Sequence, residues 1–159
     1  MLWAASQSAR NLRKLLNLGD TMTATTCALL GFIAWSILLT FALFGMRAAA
    51  TLKGKALNTF NATGADLDDF GLRVTRAHGN SVENLAIVAG LMLYAIATDQ
   101  TAITNGLAAV VLGARVVQSV VHIASSSVPA VLLRATAFTV QMVVSLLWVW
   151  QFYHAASPV

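Results

Sequence analysis

The chain has 159 residues, of which 58% are hydrophobic and 10% are charged, and its formal net charge is +4. Because a soluble domain carries about 25% charged residues, this composition excludes an ordinary soluble fold. The basic residues are scattered and form no dense stripe with interleaved aromatic residues, which argues against nucleic acid as a partner. Cys27 is the only cysteine, so an internal disulfide and a cysteine-based metal cluster within one chain are excluded.

Residues 1–21 are polar and contain Arg10, Arg13 and Lys14. They have no long apolar core and therefore do not resemble a cleavable signal peptide. We expect them to form a tail or a short surface helix. Met22 directly precedes the first apolar run, and a natural start at Met1 or at Met22 stays open. Residues 22–159 are predicted to form one membrane domain.

The first long apolar run predicts a transmembrane helix over residues 23–50, because about 20 apolar residues span a bilayer. A polar loop follows over residues 51–69 and ends in the acidic cluster Asp66, Asp68 and Asp69. Aspartate favours the N-terminus of a helix. The second helix is therefore predicted to begin near this cluster and to continue through Ala97.

Two more apolar runs predict spans over residues 102–124 and 128–154. The segments between spans are short and typical of tight turns, at residues 98–101 and, with three serines and a proline, at 125–129. Aromatic anchors at the membrane interface are expected at the end of the fourth span, at Trp148, Trp150, Phe152 and Tyr153. The fold class predicted is an all-α membrane protein, a bundle of four transmembrane helices.

The basic residues beside the spans predict the orientation of the chain in the membrane. They are concentrated in and around the first loop, at Arg47, Lys53, Lys55, Arg73 and Arg76. By the positive-inside rule this loop faces the cytoplasm and both termini face the other side. The basic residues of the N-terminal tail favour the opposite orientation, unless the tail is absent or lies on the membrane surface.

Polar residues inside the spans fall on one face of each helix. At 100° per residue, the three stripes are formed by Arg73, Arg76, Asn80 and Glu83, by Arg115, Ser119 and His122, and by Arg134, Gln141 and Ser145. Ionisable groups in a membrane are costly and generally face a bundle interior or a wet cavity. We therefore expect the stripes to face one another.

Two explanations of these stripes stay open. In the first, the polar groups pair with each other: Glu83 with Arg76 or Arg115, and Asn80 and Gln141 between helices. In the second, the excess of arginine over glutamate is balanced by a bound anion. Because the planar guanidinium suits carboxylates, a small polycarboxylate is the natural candidate. His78 lies on another face with no second ligand at metal-binding spacing, so no metal site is predicted.

The sequence Arg-Ala-His-Gly-Asn-Ser-Val-Glu-Asn over residues 76–84 strongly resembles the signature of the MAPEG family, the membrane-associated proteins in eicosanoid and glutathione metabolism. The resemblance extends to the segment Gly113-Ala114-Arg115 and to Arg134. It implies a homotrimer of four-helix subunits in which glutathione, a co-substrate, binds between neighbours on the cytoplasmic side. Membrane lipids and a lipophilic small molecule are the other partners that it implies.

The resemblance also assigns roles to individual residues. Arg134 matches the arginine that activates the glutathione thiol. The residues expected to bind glutathione are Arg47, Arg73, Arg76, Asn80, Glu83, Arg115 and His122. Of these, Arg47 resembles a first-helix arginine that reaches the site from the neighbouring subunit. An arginine is suited to Arg134's role because a thiol with a pKa near 8.5 is mostly protonated at neutral pH and an adjacent cation stabilises its thiolate.

The chain departs from some members of the family at two positions. Prostaglandin E synthase has tyrosines where this chain has Phe138 and His122. Leukotriene synthase lacks the first of these tyrosines and still activates glutathione, so Phe138 does not exclude catalysis. The resemblance thus implies a glutathione transferase or peroxidase that acts on lipophilic electrophiles or hydroperoxides. The alternative is a non-catalytic membrane protein of the same family that binds lipid or serves as an accessory protein.

Overall fold

The computed structural model describes residues 22–156, which form four long helices and no strand. Helix α1 spans Ala24–Leu52, α2 Asp69–Ala97, α3 Thr101–Ala124 and α4 Val128–Ala156, and a short 3-10 helix, Leu57–Thr59, lies in the first loop. Each long helix has the length and hydropathy needed to cross a membrane. The predicted four-helix architecture is confirmed, whereas the predicted tail over residues 1–21 lies outside the described part of the chain.

The helix ends follow from local sequence. Asp68 caps α2, where its side-chain oxygen accepts a hydrogen bond of 2.7 Å from the backbone N–H of Gly71. Helix α2 ends in a Schellman motif: Asp99 has a φ of 56°, and the N–H of Gln100 donates to the carbonyl of Ala95 at 2.8 Å. This motif reverses the chain within the predicted turn, so α2 and α3 become antiparallel neighbours.

The apolar core lies between the four helices and involves residues of each. Phe32 of α1, Met92 of α2, Val111 of α3 and Trp148 of α4 are all fully buried. The prediction that Trp148 and Phe152 anchor the membrane interface is wrong for both, because they face this core, whereas Trp150 and Tyr153 are exposed. The outer surface carries large exposed apolar side chains, as expected for helices that contact lipid.

Hydroxyl groups join the helices within this core. The hydroxyls of Thr25 and Thr104 lie 2.6 Å apart and connect α1 to α3. Ser36 and Ser81 connect α1 to α2 at 3.2 Å. Such contacts between small polar residues are common where transmembrane helices approach closely, and here they fix α1 against the two central helices.

The first loop packs against the start of α2. Lys55 forms an ion pair of 2.8 Å with Asp66, and its Nζ also donates to the Asp66 carbonyl at 3.0 Å. This pairing lowers the pKa of the Asp66 carboxyl. Gly64 is buried with a φ of 74°, and a Cβ there would lie 2.6 Å from Oγ1 of Thr75. The ion pair therefore joins the two ends of the loop, and the close approach of Gly64 to Thr75 packs the loop against α2.

Candidate functional site

A chain of hydrogen-bonded amide side chains, buried except for the half-buried Asn80, joins three helices of the bundle. The Oδ1 of Asn80 accepts from Arg115 at 2.8 Å and from Nε2 of Gln118 at 2.9 Å. Gln118 in turn accepts from Nε2 of Gln141 at 2.9 Å, and Gln141 accepts from Nδ2 of Asn84 at 3.0 Å. These five residues, which we call the amide relay, connect α2, α3 and α4. The expected interhelical bonding of Asn80 and Gln141 is present.

Arg115 is the charged member of the amide relay and is fully buried. Its Nη1 contacts Asn80, its Nε and Nη2 have no hydrogen-bond partner among the described residues, and its guanidinium lies 5.3 Å from the ring centroid of Phe32. The structure does not show the alternative in which Glu83 pairs with it. Arg115 therefore donates to an amide and to an aromatic face rather than to a carboxylate.

A cavity of about 520 Å³ lies beside the amide relay and opens on the outside of the protomer. Its polar lining includes four residues expected in the site, Arg76, Asn80, Glu83 and His122. Arg76 and Glu83 are exposed. Within residues 22–156 the one ion pair is that between Lys55 and Asp66, so neither cavity residue is neutralised by a neighbour. We call this space the polar cavity.

A smaller cavity of about 190 Å³ shares Asn80 and Glu83 with the polar cavity. Its other lining residues include Ile87, Phe138 and Met142, so we call it the apolar cavity. Phe138 presents no hydroxyl to it. The two cavities together place charged groups at one end and an apolar wall at the other.

Arg134 belongs to α4 and is half-buried. Its charge and that of Arg76 both act on the imidazole of His122, which lines the polar cavity. Arg134 also lies one helical turn before Phe138, on the same face of α4. Arg134 itself lines neither cavity, whereas Phe138 lines the apolar cavity and His122 lines the polar cavity.

Arg73 and Arg47, two other residues expected in the site, have different surroundings. The Nε of Arg73 donates to the carbonyl of Ile123 at 2.8 Å and so satisfies a carbonyl at the end of α3. Arg47 lines a separate cavity of about 650 Å³ near the end of α1, where its guanidinium lies 5.7 Å from the Phe60 ring centroid. Within one chain, Arg47 does not share the polar cavity.

His78 accompanies Arg47 outside the polar cavity. Its Nε2 lies 3.1 Å from the hydroxyl of Thr40, and the charge of Arg47 acts on its ring. The described residues contain no group of three histidine, cysteine or acidic side chains that could hold a metal ion. The site is therefore defined by arginine, amide and carboxylate groups.

The sequence identified four of the eight residues that line the polar cavity but missed two members of the amide relay. Gln118 follows Arg115 by three residues and shares its face of α3, which was the available signal. Asn84 belongs to the segment over residues 76–84, but its partner Gln141 is 57 residues away. The pairing of these amides depends on the depth at which α2 and α4 cross, which periodicity does not give.

The model of the MAPEG family matches residues 24–153, which is most of the chain. The comparisons with curated proteins and with solved structures give no match.

Proposed function

The chain belongs to the MAPEG family, an integral membrane family that includes glutathione transferases, and from this premise we propose that it is a membrane-bound glutathione transferase or peroxidase. The observation that carries the proposal is the polar cavity. It holds an exposed arginine and an exposed glutamate, Arg76 and Glu83, and neither has an ion-pair partner among the described residues.

The charges of glutathione suit the two charged residues that line this cavity. The tripeptide has two carboxylates, one ammonium and one thiol. Arg76 binds a carboxylate through its planar fork, and Glu83 binds the ammonium. Arg73 has its Nε engaged by Ile123 and supports a carboxylate with its remaining N–H groups. The site thus selects a zwitterionic ligand with net negative charge, which neither a lipid chain nor a simple cation provides.

Arg134 is the residue that we propose to activate the thiol. Near its guanidinium the thiol of glutathione loses its proton to solvent, because the cation stabilises the thiolate. His122 lies within the electrostatic reach of Arg134 and helps to position the sulfur. Since Phe138 supplies no hydroxyl, the arginine is the principal stabilising group for the sulfur.

The apolar cavity is the place that we propose for the second substrate. Ile87, Phe138 and Met142 form a wall suited to a lipophilic molecule entering from the bilayer. In a transferase reaction the thiolate forms a bond to an electrophilic carbon, and the leaving group departs with its electron pair. In a peroxidase reaction the thiolate attacks a hydroperoxide oxygen and releases the alcohol, and a second glutathione converts the resulting sulfenate to disulfide and water.

We propose a homotrimer because two charged residues of the proposed site are uncovered in a single chain. Arg76 and Glu83 are exposed on a helix that spans the membrane, and charged groups facing lipid are costly. A neighbouring subunit would cover them, and its Arg47 would be brought to the site from α1. The density of basic residues in the first loop supports a cytoplasmic position for that loop and for the site.

Calorimetry of glutathione binding to the purified protein tests this proposal. We expect the parent to bind, and we expect Arg76→Ala and Glu83→Gln each to weaken binding by about tenfold or more, since hydrogen bonds to charged groups contribute ~1.5–3 kcal/mol. Arg47→Ala also weakens binding if a trimer forms. A parent that does not bind glutathione, or variants that bind as tightly as the parent, would refute the assignment.

The alternative is a non-catalytic member of the family that binds lipid or acts as an accessory protein. The observation that favours it is Phe138, which lines the apolar cavity without a hydroxyl. Under this alternative the protein binds a lipophilic ligand and forms no glutathione thiolate. Thiolate formation therefore distinguishes the two functions.

A further inference from the structure

The amide relay has one possible hydrogen-bonding direction, and Arg115 determines it. Guanidinium has only donors, so the Asn80 atom at 2.8 Å from Nη1 of Arg115 must be the oxygen. Gln118 must then turn its own nitrogen toward that oxygen, at 2.9 Å. The amide assignments, which are otherwise interchangeable, are thereby fixed by chemistry.

The direction continues through α4. Because the nitrogen of Gln118 faces Asn80, its oxygen faces Gln141 and accepts from Nε2 of that residue. The nitrogen of Gln141 also donates to the carbonyl of Ala137 at 2.9 Å, which keeps this amide from reversing. Its oxygen is left to accept from Asn84. Each amide thus holds the next in one orientation.

The consequence for the site concerns the other end of the Asn80 side chain. Its Oδ1 is occupied by two donors inside the bundle, whereas no hydrogen bond from its Nδ2 occurs among the described residues. Asn80 also lines both the polar and the apolar cavity. The N–H groups of Nδ2 therefore face the cavities.

We propose that the amide relay positions Asn80: Arg115, with Gln118 as a second donor, fixes the Asn80 carboxamide so that the cavity presents an N–H donor to a carboxylate or carbonyl oxygen of the ligand. The inference rests on the proposed function for the identity of that ligand. The direction of the amide relay stands on hydrogen bonding alone. Gln118 is nearly fully buried and does not line the polar cavity, so its effect on a ligand is indirect.

Two substitutions at the same position separate positioning from simple packing. Gln118→Met removes one donor to Asn80 but leaves Arg115 in place, so the carboxamide keeps its orientation. Gln118→Glu has nearly the same shape but places a carboxylate beside Oδ1 of Asn80. The carboxamide then reverses to donate to the new carboxylate, which also pairs with Arg115, and it turns its oxygen toward the cavity.

Glutathione calorimetry gives the first measurement. We expect Gln118→Met to bind within about threefold of the parent and Gln118→Glu to bind about tenfold to hundredfold more weakly, since an acceptor then faces a ligand oxygen. We also expect Gln118→Glu to retain thermal stability, because it supplies a partner for a buried cation. Equal binding by the two variants, or weaker binding by Gln118→Met, would overturn the proposal.

Side-chain amide hydrogen exchange, followed by NMR on the ligand-free protein, gives a second measurement that does not need glutathione. The Asn80 amide protons should exchange rapidly in the parent and in Gln118→Met, and slowly in Gln118→Glu, where they point inward. Their resonances are identified by their loss in Asn80→Asp. If the parent does not bind glutathione, the proposed function fails and this exchange pattern alone decides the present inference; equal exchange in all three proteins overturns it.

Discussion

Gln141 provides a direct test of how much the amide relay stabilises the bundle. It is fully buried and bonds to Gln118 and Asn84 at 2.9 and 3.0 Å. Gln141→Met keeps the shape of the side chain while it leaves one acceptor and one donor buried without partners. An unsatisfied buried group costs ~1–3 kcal/mol, but measured polar contacts in membrane bundles average only ~0.6 kcal/mol. We therefore expect a loss of about 1–4 kcal/mol in the free energy of unfolding.

The assay is equilibrium unfolding of the protein in mixed micelles, with helix content as the signal. The matched control is Thr139→Met, which lies two residues away on the same helix. Thr139 is exposed and its hydroxyl bonds only within α4, to the carbonyl of Ala135 at 3.0 Å. This control should change the free energy of unfolding by less than about 0.5 kcal/mol.

A double-mutant cycle makes the test specific. If Gln118 and Gln141 bond as described, the double variant Gln118→Met with Gln141→Met should lose less unfolding free energy than the sum of the two single variants. Each single variant leaves the other glutamine without its partner, whereas the double variant removes both amides. The coupling should be about 0.6–1.7 kcal/mol. Strict additivity, or an unchanged stability in Gln141→Met, would refute the reasoning.

Two further predictions concern the first loop. Gly64→Ala should destabilise the protein by about 1–3 kcal/mol, because a side chain there requires a strained φ and meets Thr75. The control Gly45→Ala, in a helix with open space around it, should be neutral or stabilising. Thermal unfolding of both variants checks this, and equal effects would contradict it. The pKa of Asp66 is lowered from its ordinary 3.8 by the pairing with Lys55, so the contribution of the ion pair is complete above that value and is lost as the pH falls through the lower folded pKa. The protection of the loop amides against hydrogen exchange, corrected for the intrinsic pH dependence of exchange, should therefore fall on acidification below about pH 4 in the parent and change little there in Asp66→Asn. A parent loop that stays protected would count against the ion pair.

The fold could be predicted because bilayer thickness and capping leave few alternatives. Four apolar runs of sufficient length, separated by short polar turns, determine the number of spans. The acidic cluster before α2 marked its start, and Asp68 is the cap. The described helix boundaries lie within about two residues of those expected, a difference typical of helix ends.

One prediction was wrong and one open alternative was decided by the structure, each for its own physical reason. Trp148 was assigned to the membrane interface from its distance along the chain, but it follows Gln141 by seven residues and therefore shares its buried face. Pairing of Glu83 with Arg115 was considered from the angle of each stripe. The depth at which two helices cross decides which groups meet, and this depth places Asn80 rather than Glu83 beside Arg115.

Part of the candidate site could be predicted from helical periodicity. Arg76, Asn80 and Glu83 share a face of α2 within two helical turns, so their meeting on one cavity follows from periodicity. The presence of His122 on that cavity depends on the tight turn that brings α3 beside α2. Arg47 shares no cavity with them in one chain, and its role stays a prediction that depends on the trimer.

The most direct test of the account is the ultraviolet absorbance of glutathione thiolate on the purified protein. The parent should show thiolate absorbance on addition of glutathione near neutral pH and should conjugate a model electrophile such as chlorodinitrobenzene. Arg134→Ala should bind glutathione without that absorbance, since Arg76 and Glu83 hold other parts of the ligand, and Arg134→Lys, which keeps the charge without the planar fork, should retain partial activity. Glutathione bound to the parent with neither thiolate nor conjugation between about pH 6 and pH 9, a range that spans the ordinary titration of a thiol, would contradict the enzyme assignment.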